Sequence, residues 1–179
     1  DFSFGSYAGP GERAVHADAG GTSALDKALR RLAEQSAIML TLPTPDSGPP
    51  LEQDEELAKA TIKVVQALLD AKPKWQINGK THVLMPEDIG ITATHRVMNA
   101  AIELAMPAKL HDTVVVDTPE RWQGLERPVM LAIHPLSGMV NPTSFSLETG
   151  RMCVMASRHR GAMIMLGRDH IADTLDSYI

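Results

Sequence analysis

The sequence predicts an α/β domain: a mainly parallel sheet flanked by helices. Three observations predict it. Short apolar runs of five or six residues alternate with stretches of helical period from residue 37 onward, the pattern of parallel strands covered on both faces. Polar constellations stand beside apolar runs at 117–126 and 151–160, where strand ends meet loops and ligands bind in such folds. Aromatics make up only 4% of the chain while Met is abundant at 10, so the core must be built from Val, Ile, Leu, Met and Ala.

Each element follows in order. Residues 1–21 are rich in Gly and Ala, with Pro10 between Gly9 and Gly11. They predict loop, with an edge strand at residues 2–7. Ser23 followed by Asp26 resembles a capping box, opening a helix to about Gln35. Residues 37–42 form a buried strand between turn signals. Pro45, Gly48 and Pro49 mark residues 43–50 as a mobile surface loop. Residues 52–71 give the best helix, with Leu57, Thr61, Val64, Val65 and Leu68 at helical spacing. Acidic residues crowd its first turn, where the macrodipole favours them. Residues 75–84 fit either a linker or a hairpin. Beyond them lie a strand (88–92), a helix (96–106), and strands at 113–117 and 129–134. A polar loop (137–148), a short helix (151–160), a strand (162–166) and a final helix (169–178) complete the chain. The carboxyl ends of the sheet should carry residues 118–126 and 151–160 on one surface.

Composition bounds the function. The chain has 179 residues, which suits one domain, about 100–200 residues being usual. Residues 1–50 form a loop-rich lead and 51–179 the domain proper. Apolar residues are 44% and charged residues 22%, an ordinary globular composition. The net charge of −5 lacks the basic footprint of a stand-alone nucleic-acid binder, so any such contact must be local or shared. A single Cys153 excludes an intrachain disulfide and fits a reducing cytoplasm. No apolar run approaches the roughly 18 residues of a membrane-spanning helix, and no signal peptide is visible. The chain opens at Asp1 without Met, which predicts a piece of a longer protein.

Gly79, Lys80 and Thr81 spell the end of a phosphate-binding loop, but that motif needs a Gly at position 74, which is Lys. The segment is a glycine turn with a solvated lysine, and the chain shows no loop to cradle β- and γ-phosphates. The seven His are scattered and lack the spacing of zinc ligands, so no metal site is expected. No Gly-x-Ser-x-Gly elbow supports acyl chemistry.

In the first constellation, Thr118 and Gln123 can hydrogen-bond phosphate or sugar oxygens. Gly124 lets backbone approach a ligand closely, and Glu126 can accept from a ribose hydroxyl. In the second, Arg151, Arg158 and Arg160 line a helix and its exit, and a guanidinium there can reach a phosphate on a neighbouring domain. Taken singly, the first is better read as a solvated turn and the second as surface ion pairs or solvated charges.

Asp117, Thr118, Gln123, Gly124, Leu125 and Glu126 resemble the fifth motif of superfamily 1 helicases. Arg151, Val154, Ser157 and Arg158 resemble the sixth, and residues 89–96 the fourth, a strand followed by a His-Arg turn. The three occur in family order, and the resemblance covers roughly residues 50–179. It implies a second RecA-like domain of the P-loop NTPase type, lacking its own phosphate loop. It implies an ATP-dependent helicase in the cytoplasm, an ATP hydrolase only as part of the full-length protein. The first RecA-like domain would hold the phosphate loop and the Mg²⁺ ligands, with ATP in the cleft between the domains. Arg158 matches the catalytic arginine finger. Gly124, Glu126 and Arg151 match nucleotide-binding positions. Thr94, His95, Arg96, Thr118 and Gln123 match contacts to single-stranded nucleic acid, DNA ahead of RNA. The sequence departs from the family with His159 for a small residue, Cys153 for Asn and Met98 for Gln. Those departures keep an alternative open: a degenerate, non-catalytic RecA-like scaffold for nucleic acid or protein.

Overall fold

The computed structural model describes residues 13–139 and 149–176. In chain order the elements are β1 (Arg13–His16), α1 (Ala24–Arg30), β2 (Ala37–Leu42), α2 (Glu55–Asp70), β3 (Lys74–Ile77) and β4 (Lys80–Val83). Then come β5 (Ile89–Thr92), α3 (Arg96–Ala105), β6 (Val115–Asp117), β7 (Arg127–Ile133), α4 (Thr149–Ser157), β8 (His159–Arg168) and α5 (Ile171–Asp176). The strand expected at residues 2–7, the stretch 140–148 of the polar loop and the end of the last helix lie outside the described residues.

The main sheet has five strands in the order β2-β8-β7-β5-β6, and every pairing is parallel. Its edge strand β2 comes from the chain before residue 51. β2 was expected to be buried, but as an edge strand it is covered unevenly: Ile38 is buried and Met39 exposed. From β5 the chain moves outward to β6, whereas from β7 it moves the other way to β8. The neighbours β5 and β7 therefore form a topological switch point, the usual place for a crevice at the carboxyl ends of strands.

One face of this sheet carries Ile89, Ile91, Val129, Leu131, Ile133, Ile164 and Leu166. Leu29 of α1, Leu57, Val65 and Leu68 of α2, and Met98 and Ile102 of α3 join them in one core. The opposite face is covered by α4 and the turn before β7. There Met155 packs with Ala132 and Met165, flanked by Met152 and Met163. Trp122, only 1% exposed, lies over Gly90 of β5: a methyl placed on Gly90 would stand 2.6 Å from its ring and 2.6 Å from the Met130 sulfur. The indole N–H donates to the Ile91 carbonyl at 3.1 Å.

A second sheet, β1-β3-β4, is antiparallel. The segment left between linker and hairpin is a hairpin, turned at Asn78 (φ 51°) and Gly79 (φ 71°). Positive φ at both central residues is the two-residue turn that Asn-Gly favours, so Gly79–Thr81 is a turn and a strand start.

Local chemistry sets the helix ends. Ser23 and Asp26 form the expected reciprocal capping box. Asp54 caps α2 by accepting from the Leu57 N–H at 2.9 Å, so the helix begins at Glu55. Asp54 also holds Arg168, whose side chain is 1% exposed. Arg168 donates to Asp54 Oδ2 at 2.8 Å and Oδ1 at 2.9 Å, to Glu56 Oε2 at 2.9 Å, and to the Pro43 carbonyl. This fork binds the end of β8 to the start of α2. No helix among the described residues is long and apolar enough to cross a membrane.

Removing one partner of a buried pair strands the other charge. Arg168→Ala is expected to lower unfolding free energy by about 3–5 kcal/mol, read from urea titration. The double variant with Asp54→Ala should lose less than the sum of the single losses. A single-variant loss under about 1 kcal/mol would contradict the assignment.

Candidate functional site

β6 ends at Asp117, whose Oδ1 accepts from the Thr118 N–H at 2.8 Å. Tight turns follow: Trp122 N–H donates to the Pro119 carbonyl at 3.1 Å, and Leu125 N–H to the Trp122 carbonyl at 3.1 Å. Gly124 stands at φ 79°, the left-handed region that favours glycine, with open space around it. The chain then enters β7. The Arg127 guanidinium lies 5.5 Å from the centre of the Trp122 ring and donates to the Glu126 carbonyl at 3.0 Å. Its Nε is buried and has no hydrogen-bond partner among the described residues.

The second constellation meets the first at two points. Arg151 Nε donates to Glu120 Oε1 at 3.0 Å, and Arg160 Nε to Glu126 Oε2 at 2.8 Å. Between them the backbone is stapled, the Arg127 N–H donating to the Arg158 carbonyl at 3.0 Å. Burial opposes ionisation of Glu120, but hydrogen bonds from its own backbone and from Arg151 outweigh it and hold its carboxyl below the ordinary range. The Arg158 guanidinium donates to the Ser157 hydroxyl at 2.8 Å and 3.2 Å. Among the described residues no carboxylate pairs with Arg158. Burial holds His159 below its ordinary pKa, and the Arg13 charge adds to the effect.

No protein-family model and no curated protein matches the chain. The site therefore rests on its own geometry.

That geometry corrects one expectation. The two constellations were expected together at the carboxyl ends of the sheet. Thr118 does leave the carboxyl end of β6, beside Thr92 of β5, which pairs with Asp117. Glu126, however, precedes β7, and Arg158 precedes β8, with Arg127 paired to His159. Glu126, Arg158 and Arg160 thus stand at the amino end. The reason is connectivity: residues 118–126 carry the chain back across β5 to begin another parallel strand. The two ends are separated by the seven residues of β7, roughly 20 Å at about 3.3 Å per residue.

The nine expected site residues sort accordingly. Thr94, His95, Arg96 and Thr118 lie at the carboxyl end, where His95 occupies the N-cap position of α3 without a side-chain cap. Glu126 and Arg158 lie at the amino end. Gln123 and Gly124 sit in the exposed turn between. Arg151 is spent on bracing α4 against Glu120, its side chain only 13% exposed.

A cavity of about 540 Å³ opens at the β5/β7 switch point, lined by Thr94, His95, Val97, Met98, His134 and Ser137 among others. His134 was not visible as a site residue, since nothing in its spacing marks it. It is 8% exposed, and its Nδ1 accepts from the Leu136 N–H at 3.2 Å. Burial first, and the His170 charge second, push its pKa down to about 4. The Ser137 hydroxyl is buried and has no hydrogen-bond partner among the described residues.

His134 links stability to pH. Its folded pKa lies below the unfolded value of 6.5, so the unfolded chain takes up the proton first. The stabilisation from a neutral His134 is complete above about pH 6.5 and is lost as pH falls towards 4, about 3 kcal/mol in all. His134→Gln should flatten that part of the unfolding free energy measured between pH 7 and 4. An identical slope in both proteins would refute the linkage.

Proposed function

We propose that this chain is the second, C-terminal RecA-like domain of a superfamily 1 ATP-dependent helicase or translocase. One observation carries the reading. Two stretches that resemble the family's fifth and sixth motifs are distant in sequence yet braced together at Glu120–Arg151 and Glu126–Arg160, with Arg158 between the braces and without a carboxylate partner among the described residues.

The division between sheet ends supports distinct roles. At the amino end Arg158 is a cation for a γ-phosphate and Glu126 an acceptor for a sugar hydroxyl. These fit half of an ATP site, the other half with its Mg²⁺ ligands belonging to the first RecA-like domain. Bound ATP supplies the phosphoanhydride whose cleavage drives the motor. Arg158 stabilises charge developing on the transferred phosphoryl group. At the carboxyl end Thr94, His95, Arg96 and Thr118, with Gln123 nearby, offer polar groups to a single-stranded backbone. Such contacts position nucleic acid without reading its bases. Domain closure over ATP would shift the strand along this edge.

A non-catalytic scaffold is the second reading. His159, turned into a half-buried setting directly after Arg158, favours it.

In the full-length protein, Arg158→Ala is expected to cut ATP turnover by on the order of 10³–10⁵ while nucleotide affinity changes little. Near-normal turnover would remove Arg158 from the finger role. The isolated chain should show no significant ATP hydrolysis, and robust hydrolysis by the pure fragment would sink the domain assignment. A full-length protein that binds single strands but never hydrolyses ATP would favour the scaffold.

A further inference from the structure

The pairing of β7 with β8 is interrupted beside the amino-end cluster. Arg127 pairs with His159 and Val129 with Ala162, so β8 carries one residue more than β7 across that step. Pro128 sits opposite the extra residue and has no N–H to lose. Gly161 fits there because a side chain would meet Val15 at 3.0 Å and the Pro128 carbonyl at 3.1 Å. Bulges re-aim side chains. This one turns Arg160 out of the ladder and onto Glu126, Nε to Oε2 at 2.8 Å.

The side chains of Arg160 and Glu126 are 50% and 43% exposed, and such pairs add little to stability. The contact matters for geometry. Its backbones are already fixed to each other by the Arg127–Arg158 hydrogen bond of 3.0 Å. A guanidinium N–H donating to one carboxylate oxygen tethers the Glu126 side chain and restrains its rotamer. Oε1 is left as an acceptor with no partner among the described residues. Without Arg160, Glu126 would be an exposed side chain free to change rotamer.

We infer that Arg160 is a positioning residue: it holds Glu126 in place to accept a sugar hydroxyl, and so sets a preference for ribonucleotides over nucleotides lacking that hydroxyl. The inference rests on the nucleotide reading of the amino end. It adds a specificity element that acts through Glu126 and touches no phosphate.

The test measures kcat and KM of the full-length protein, with single-stranded nucleic acid saturating, for ATP, 2′-deoxy-ATP and 3′-deoxy-ATP. Wild type, Arg160→Gln, Arg160→Lys and Arg158→Ala are compared. Wild type should favour ATP over at least one deoxy analogue by about tenfold or more in kcat/KM, the scale of one hydrogen bond to a charged acceptor. Arg160→Gln should bring that preference within about twofold by raising KM for ATP, while KM for the disfavoured analogue barely moves. General structural damage would raise both. Arg160→Lys should recover part of the preference. A wild-type protein indifferent to the sugar, or a preference unchanged in Arg160→Gln, overturns the inference even where Arg158→Ala abolishes turnover. Near-normal turnover in Arg158→Ala overturns the nucleotide reading, and this inference with it.

Discussion

The fold and its candidate site both depend on where Trp122 sits. β6 must be followed by a parallel strand on the far side of β5, so residues 118–126 have to cross the sheet with almost no regular structure of their own. Trp122 makes that crossing a packed one. Its ring occupies the space that Gly90 leaves open, and its N–H is satisfied by a carbonyl of the strand beneath. Buried indoles normally need such a partner. Arg127 then lies against the ring, and the next residue back, Glu126, meets Arg160. Loss of this anchor would release the crossing and the acceptor together.

The crossing also explains why the polar groups fall at two ends. A segment that begins at one carboxyl end and finishes at one amino end carries Thr118 and Glu126 to opposite edges. In the proposed motor this is an advantage, because nucleotide and strand must not compete for one surface. The sheet between them is hydrogen-bonded strand to strand, save for the bulge at Arg160–Gly161, with branched aliphatic residues packed on one side.

Much of the fold was legible in the sequence. α2 announced itself through apolar spacing and an acidic first turn, and began slightly late only because Asp54 is its cap. β7 and β8 were visible as apolar runs, though each extends further, since pairing with neighbours recruits Arg127 and His159. β1 was missed: four residues in a Gly- and Ala-rich stretch carry no signal, and only pairing with β3 makes them a strand. The site was legible as residue types at a spacing, and not as a place. Which end of the sheet a residue occupies depends on whether it follows or precedes its strand, and that was misjudged for Glu126, Arg158 and Arg160. The Arg168–Asp54 pair was invisible because its members are separated by 114 positions, and no local pattern joins them.

The two faces of the sheet differ in stiffness. Against α1–α3 lie β-branched residues and leucines, whose shapes interlock. α4 rests instead on thioethers: Met152 and Met155 meet Met163 and Met165 around Ala132. Unbranched methionines re-pack at small cost, so this helix has a compliant bed. Arg158 follows the last residue of this helix, and its carbonyl is tied to the Arg127 N–H of β7, so the compliance lies in the helix and ends where that bond begins. The same softness has a chemical liability. A sulfoxide formed at half-buried Met152 or Met163 would place a polar, chiral group in that bed and displace the helix that aims the arginine.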